Sequence, residues 1–235
     1  IYKLVARHLK NDKIRQVMSF HPLLIGGNPF SVTAVYALIN SLERRHGVHS
    51  AMGGTGSLIK GIAGLLAGRG VEIRLNSEVK RIEVVNGKAQ GVTLANGEFI
   101  ASDIVVSNAD AAWTYQKLIA PEHRKVWTDA KVNKSKYSMS LFVWYFGTDK
   151  QYPDVPHHMI LLGKRYKELL TDIFKKHVLA DDFSLYLHRP TATDPSLAPA
   201  GGDAFYVLAP VPNLESGTDW AKEAEPYRQA IAKYL

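Results

Sequence analysis

Cysteine is absent from this sequence of 235 residues. Its absence excludes a disulfide scaffold, a thiolate zinc site and thiol catalysis. It does not identify a compartment, because a cytosolic protein can also lack cysteine.

Long apolar runs are missing too. No uninterrupted apolar stretch approaches the ~18 residues that a membrane span needs. The first residues also lack the apolar core of a signal peptide. We therefore expect that the chain does not cross a bilayer, although it can lie on one.

Acidic residues are the scarcer charged type. The sequence has 29 Lys and Arg against 22 Asp and Glu, which gives a net charge of +7 and a pI of about 9.4. An ordinary soluble surface with a basic excess is the simplest interpretation. Attraction to anionic lipid, worth about 1 kcal/mol per Lys or Arg near the surface, is the second. We expect no nucleic-acid partner, because helix-turn-helix, zinc-finger and RNP-like signatures are absent.

Two common catalytic signatures are absent as well. There is no His-Glu-x-x-His motif and no Gly-x-Ser-x-Gly nucleophile elbow. His157 and His158 are adjacent, and on a strand adjacent side chains point to opposite faces, so they could not share an ion. We therefore predict no metal site and assign no catalytic residue. His188, at the end of a predicted strand, is the histidine of most interest.

The sequence does contain clear signals for local structure. Asn86-Gly87 and Asn96-Gly97 join alternating apolar segments, which predicts a three-stranded meander from residue 79 to residue 100. Asp103-Ile104-Val105-Val106 has the continuous apolar character of a buried parallel strand. Further predicted strands cover 71–75, 138–146, 158–162, 183–188 and 204–208. Helices are predicted over two short segments before residue 19, over 29–46, 57–66, 111–118 and 166–177, and from residue 219 onward.

A glycine-rich turn, Gly53-Gly54-Thr55-Gly56, precedes one of these helices. Such a turn can hold phosphate, since free N–H groups and the helix dipole favour anions. Ile59 stands where the third glycine of a dinucleotide fingerprint belongs, which favours a structural turn over a phosphate cradle. The aromatic run Trp144-Tyr145-Phe146 has two interpretations that are compatible: a sheet core, or a sheet that floors an apolar cavity.

Several segments, in order and spacing, resemble bacterial-type phytoene desaturases, a family of FAD-dependent carotenoid desaturases. They are residues 19–30, Gly53-Gly54-Thr55-Gly56, 76–79, Ser107-Asn108-Ala109-Asp110, 182–188, 193–199 and 206–212. The resemblance covers essentially the whole chain. Its later segments are more specific than the glycine turn, which many flavin amine oxidase-like proteins share.

This resemblance implies an α/β fold in which part of a Rossmann-like FAD-binding domain with a β-meander joins an α+β substrate domain with an antiparallel sheet. It assigns residues 1–46 to a helical segment that faces substrate or membrane, 47–112 to the FAD-binding domain and 113–235 to the substrate domain. It implies that the backbone of Val79 contacts the adenine end of FAD and that Ser107, Asn108 and Ala109 lie near the cofactor. Gly53 and Gly54 complete the predicted cofactor positions.

The activity implied is FAD-dependent desaturation of phytoene or a close carotene, by an enzyme attached peripherally to the anionic cytoplasmic side of a membrane. A carotenoid isomerase, a retinol-saturase-like flavoenzyme and a non-redox escort protein for prenyl lipids remain alternatives. The family's N-terminal dinucleotide fingerprint lies outside this sequence, so we expect an interior fragment that does not retain FAD alone. His49-Ser50-Ala51-Met52 departs from the family's aromatic, proline and basic pattern, which argues against a direct role for those four residues.

Overall fold

A computed structural model describes all residues 1–235. Its helices are α1 Tyr2–His8, α2 Asp12–Val17, α3 Ala37–His46, α4 Gly54–Gly68, α5 Ala111–Trp113, α6 Asp129–Asn133, α7 Tyr166–Thr171 and α8 Trp220–Tyr234. Its strands are β1 Val79–Val85, β2 Lys88–Leu94, β3 Phe99–Ala101, β4 Ser140–Thr148, β5 His158–Leu161, β6 Leu185–His188 and β7 Asp203–Val211. Short 3₁₀ and π turns connect or extend several of these elements.

The chain divides into two compact units, one formed by residues 1–62 with 137–235 and the other by residues 63–136. These boundaries differ from the predicted ones at residues 46 and 112. That prediction concerned which segments serve the cofactor and which serve the substrate, and it stays a prediction.

The larger unit is built on a four-stranded antiparallel sheet in the order β4-β7-β6-β5. Residues on β7 alternate between buried and half-buried along its whole length, as a sheet covered on one face requires. The covered face packs Val207 and Leu187 against Tyr227 and Ile231 of α8. The antiparallel sheet predicted for this region is confirmed.

A second core in the same unit forms around α7. Tyr166, Leu169 and Leu170 are almost fully buried and pack with Met139 of the chain entering β4. Leu23 and Phe30, from the N-terminal segment, pack against this cluster. The N-terminal segment is thereby attached next to the end of the sheet.

The smaller unit contains the predicted meander, with strand order β1-β2-β3. Asn86 and Gly87 both have positive φ angles, 49° and 75°. A type I′ turn requires two such angles in succession, which explains why Asn-Gly located this hairpin from sequence alone.

The strands predicted at 71–75 and 103–106 are wrong for this structure. Neither segment joins a sheet, and Leu75, Ile104 and Val106 are 80%, 77% and 87% exposed. A parallel strand exists only when a neighbouring strand accepts and donates its hydrogen bonds, and neither segment pairs with one within residues 1–235. Helix α4 formed as predicted, yet its apolar side chains, such as Ile59 and Leu65, are also more than half exposed.

The helix predicted from Pro29 begins later. Asn28 accepts a hydrogen bond from the N–H of Phe30 at 2.9 Å, which makes a local turn instead of a helix cap. Thr33 then starts a 3₁₀ turn, and α3 begins only at Ala37. Its predicted end is confirmed at Gly47, where φ is +74°.

Candidate functional site

The uncovered face of the four-stranded sheet carries one continuous row of ring side chains. Tyr145 pairs with Tyr206, Tyr206 with His188, and His188 with His158, so the row crosses all four strands. The edge of the His188 ring meets Tyr206 at a centroid distance of 4.5 Å. Trp144 and Phe146 lie on the other face and pack against the core, which confirms the sheet-core interpretation of this aromatic run.

An apolar cavity of about 240 Å³ lies on the same face. Its walls come from all four strands and from the segment that follows α2. They are Phe20, Leu23, Leu24, Met139, Leu141, Ile160, Leu162, Ser184, Leu185, Tyr186, Tyr206, Leu208 and Pro210. Leu24 is 60% exposed, so the cavity reaches the surface at the N-terminal segment.

Three histidines cluster at the sheet edge beside this cavity. The rings of His157 and His158 stack at 4.4 Å, and His157 Nε2 lies 2.8 Å from His188 Nε2. The prediction that His157 and His158 diverge is wrong, because β5 begins only at His158 and His157 belongs to the preceding bend. Strand alternation therefore does not apply to this pair.

The surroundings of the cluster favour the neutral form of two of its rings, His188 and His158. Burial, followed by the neighbouring His157 and His158, lowers the pKa of His188 to about 4. Burial and His157 also lower the pKa of His158. Hydroxyl groups contact two of the rings: Thr193 Oγ1 lies 2.7 Å from His157 Nδ1, and the Tyr186 phenol lies 2.5 Å from His158 Nδ1.

A buried ion pair follows β6 directly. Arg189 lies 3.3 Å from Asp203, and Asp203 also accepts hydrogen bonds from the Thr191 hydroxyl at 2.6 Å and the Tyr152 N–H at 2.7 Å. Burial alone would raise the pKa of Asp203, but these donors hold it below its usual range. Replacing either charge would leave the other buried and unpaired. The network fixes the turn that leads from His188 to Thr193 and Asp194.

The glycine turn before α4 is held by this same turn. The N–H of Gly53 donates to Asp194 at 2.6 Å, and the N–H of Gly54 donates to the carbonyl of Ala51. Both glycines have positive φ, 78° and 77°. Since both N–H groups already have acceptors, this geometry favours the structural turn over a phosphate cradle. The assignment of Gly53 and Gly54 to the cofactor stays a prediction.

The other predicted cofactor residues lie in the smaller unit. Val79 opens β1 opposite Leu94 and is half-buried. Ser107, Asn108 and Ala109 form an exposed turn, in which Ser107 Oγ lies 2.8 Å from Thr114 Oγ1. The backbone beside the small side chain of Ala109 is exposed, and the assignment of these residues to FAD stays a prediction.

Sequence reasoning missed two features of the larger unit. The predicted strands indicated His188, but its partners lie on and just before a neighbouring strand, and no local pattern reveals how that strand pairs. The Asp194–Gly53 contact joins residues 141 positions apart. The sequence Asp194-Pro195-Ser196 does predict a turn in which Asp194 caps the following residues. It does not predict that Asp194 also binds Gly53.

Comparison with known proteins identifies a matching family and several similar proteins. The model of a family described as flavin containing amine oxidoreductase matches residues 3–211. Over its full length the chain is 48% identical to the phytoene desaturase (neurosporene-forming) of Cereibacter sphaeroides and 45% identical to the phytoene desaturase (lycopene-forming) of Pseudescherichia vulneris. It covers 46% and 48% of those proteins, so the chain spans about half the length of the curated relatives it matches.

A solved structure has a similar fold. The crystal structure of an oxidoreductase from Methanosarcina mazei matches 92% of this chain and 46% of its own chain, with a TM-score of 0.65 and 20% sequence identity. Together with the family match, this likeness confirms the predicted fold class.

Proposed function

Because this chain belongs to the flavin containing amine oxidoreductase family, we propose that it is part of an FAD-dependent enzyme that desaturates phytoene or a close carotene. The whole-length similarity to phytoene desaturases from two organisms supports this substrate class. The observation that carries the proposal is the apolar cavity on the open sheet face, which reaches the surface at Leu24.

The cofactor follows from the family. Its description as flavin containing confirms the prediction of a flavin, and FAD is the form that its desaturase relatives imply. The exposed turn Ser107–Ala109 and the start of β1 at Val79 are the residues here that would hold it.

The cavity suits a section of a long hydrocarbon. Its walls are almost entirely apolar. Pockets that enclose a drug-sized ligand have volumes of about 300–1,000 Å³, and this cavity, at about 240 Å³, is smaller. It can therefore hold only part of a C30 or C40 chain. The half-exposed continuation of the open face, at Val143 and Tyr145, offers apolar surface for more of it.

Desaturation by a flavin depends on how the hydrocarbon is aligned with the cofactor more than on reactive side chains. A bound flavin would supply the redox chemistry, taking both hydrogens that the new double bond releases, one as a hydride and one as a proton, to become its reduced form. The apolar walls of the cavity bind the hydrocarbon, fix its direction along the sheet and keep water away. No side chain in the cavity is assigned the role of a base.

We further propose peripheral attachment to the anionic cytoplasmic face of a membrane through the helices between Tyr2 and Arg45. In the described chain, no helix is long and apolar enough to span a bilayer. This N-terminal segment carries seven Lys and Arg against two acidic residues. It also exposes large apolar side chains: Ile14, Val17, Met18, Leu24, Ile25, Val35, Leu38 and Leu42. An apolar surface with a basic fringe binds membranes reversibly.

One experiment separates this function from its alternatives. The whole protein is purified, its flavin spectrum recorded, and phytoene in liposomes added before pigment analysis. A desaturase shows bound FAD and forms products with more conjugated double bonds. An isomerase or a retinol-saturase-like enzyme shows FAD without new conjugation, and an escort protein binds lipid without FAD.

A further inference from the structure

We propose that His157, His158 and His188 form a binding site for a divalent ion of the zinc class, Zn²⁺, Ni²⁺ or Cu²⁺. One ring nitrogen from each of the three lies within 4.8 Å of the other two. Imidazole nitrogen is the ligand these ions share in proteins. This site is separate from the proposed desaturation and does not depend on it.

The protonation state suits ligation. Only a neutral imidazole has a lone pair to offer. Burial, followed by the neighbouring histidines, lowers the pKa of His188 and of His158, a direction that agrees with the geometric grouping of the three rings. The contact between the Nε2 atoms of His157 and His188 holds one N–H proton, which metal binding would move to the unpartnered Nδ1 of His188 or to water.

Nε2 is the nitrogen that His157 and His158 can turn toward an ion, and in His157 it now pairs with the Nε2 of His188. The contacts of Thr193 with His157 and of Tyr186 with His158 both involve Nδ1. Histidines that bind metals use one nitrogen for the ion and fix the other through a polar partner. The third ring, His188, points its Nε2 at His157 and is held in place by Tyr206. Its own Nδ1 is buried without a partner.

Ion binding requires one local adjustment. The three rings are nearly parallel, with interplanar angles between 8° and 18°. Lone pairs in parallel planes do not meet at a point about 2.0–2.1 Å from each nitrogen, the distance that Zn²⁺ requires. His158 is exposed and can rotate toward the other two. His157 and His188, whose Nε2 atoms are 2.8 Å apart, need to separate by only a few tenths of an ångström.

Three protein ligands leave a coordination position open. The pocket beside the cluster is lined by His157, His188, Thr193 and Asp194 together with Met52 and Leu197. A water molecule or a small anion can complete a tetrahedral site from there. Because His157 precedes β5 and His188 ends β6, the ion would also tie the edge strand to the turn that holds Gly53.

The test is a Zn²⁺ titration of the untagged whole protein after treatment with chelator, measured by calorimetry. Co²⁺ substitution provides the visible spectrum of a tetrahedral site. We expect the parent to bind one Zn²⁺. In His158→Gln and in His188→Gln, the affinity for this Zn²⁺ should fall at least tenfold. Thr193→Val, which removes only an orienting hydroxyl, should weaken binding by about 10–100-fold.

The matched control is His123→Gln, which replaces an exposed histidine of the other unit and should bind like the parent. Circular dichroism checks folding, and the exposed position of His158 keeps that variant informative if His188→Gln unfolds. Equal Zn²⁺ affinity in the parent and His158→Gln, or no Zn²⁺ bound by the parent, would overturn the proposal.

Discussion

Asp194 accepts a hydrogen bond from the backbone N–H of Gly53 at 2.6 Å, across 141 positions of sequence. The same carboxylate accepts bonds from the N–H and hydroxyl of Ser196. The Ser196 hydroxyl, followed by the Gly53 N–H, holds the pKa of Asp194 below its usual value. One carboxylate thus fixes both its own turn and the turn that begins α4.

Replacing Asp194 by alanine should loosen the glycine turn. The Gly53 N–H and the two Ser196 donors would lose their acceptor. A donor left unpaired and shielded from water lowers the free energy of unfolding by about 1–3 kcal/mol. We expect a lower melting temperature and faster hydrogen exchange at the Gly53 amide. Asp154→Ala, an exposed acidic position in the same unit, is the control and should change neither. Unchanged Gly53 protection in Asp194→Ala would show that the bond does not hold the turn.

The histidine cluster makes stability depend on pH. The pKa of His188 is about 4 in the folded chain, below the value of about 6.5 that histidine has in an unfolded chain. Between these values the unfolded state binds more protons, so the free energy of unfolding should fall as pH falls from 6.5 to 4. His188→Gln should reduce this slope, while His123→Gln should keep it. Thermal melts at several pH values, with chelator present, measure how stability changes with pH. The same pH dependence in the parent and in His188→Gln would contradict the account.

The predicted FAD contacts are tested at Val79 and Ala109 in the whole protein. Val79→Pro removes a backbone N–H and should weaken FAD binding by about 2–10-fold, the effect of one hydrogen bond. Val79→Ile keeps the backbone and should bind normally. Ala109 is exposed, so Ala109→Trp should fold yet obstruct the cofactor. Fluorescence quenching gives the affinity and circular dichroism checks folding. Normal FAD affinity in folded Val79→Pro and Ala109→Trp would mean that the cofactor lies elsewhere.

Membrane attachment is tested at Leu24. Leu24→Asp places a charge on the exposed apolar surface at the mouth of the cavity and should reduce flotation with anionic liposomes about tenfold or more, because a buried leucine contributes about 1.5–3 kcal/mol. Val85→Asp, at an equally exposed apolar residue of the meander, should float like the parent. Added salt should weaken flotation of all three proteins by screening. Equal flotation of the Leu24 and Val85 variants would place the contact on another surface.

Local chemistry explains which elements the sequence could predict. Asn86-Gly87 located a hairpin because few residues tolerate two successive positive φ angles. The strand that carries Tyr206 was also predicted, and the structure buries alternate residues of it because α8 covers one face of the sheet. In contrast, the apolar run at Ile104 predicted a buried strand, and burial depends on a partner that the run itself does not encode.

The candidate site was less predictable for the same reason. His158 faces His188 only through the antiparallel register of β5 and β6, and His157 joins them from the bend that precedes β5. The cavity combines residues as distant as Leu24 and Leu208. Sites of this kind depend on the order in which strands pair in the sheet. The local sequence does not specify that order.

The most direct test of the central claim is anaerobic mixing of the oxidised whole protein with phytoene in liposomes. Hydride transfer to flavin must bleach its visible absorbance while the carotene gains conjugation. We predict loss of flavin absorbance in step with one new double bond per flavin reduced. Phytoene that binds while the flavin stays oxidised, or a product that forms without bleaching, would contradict the account.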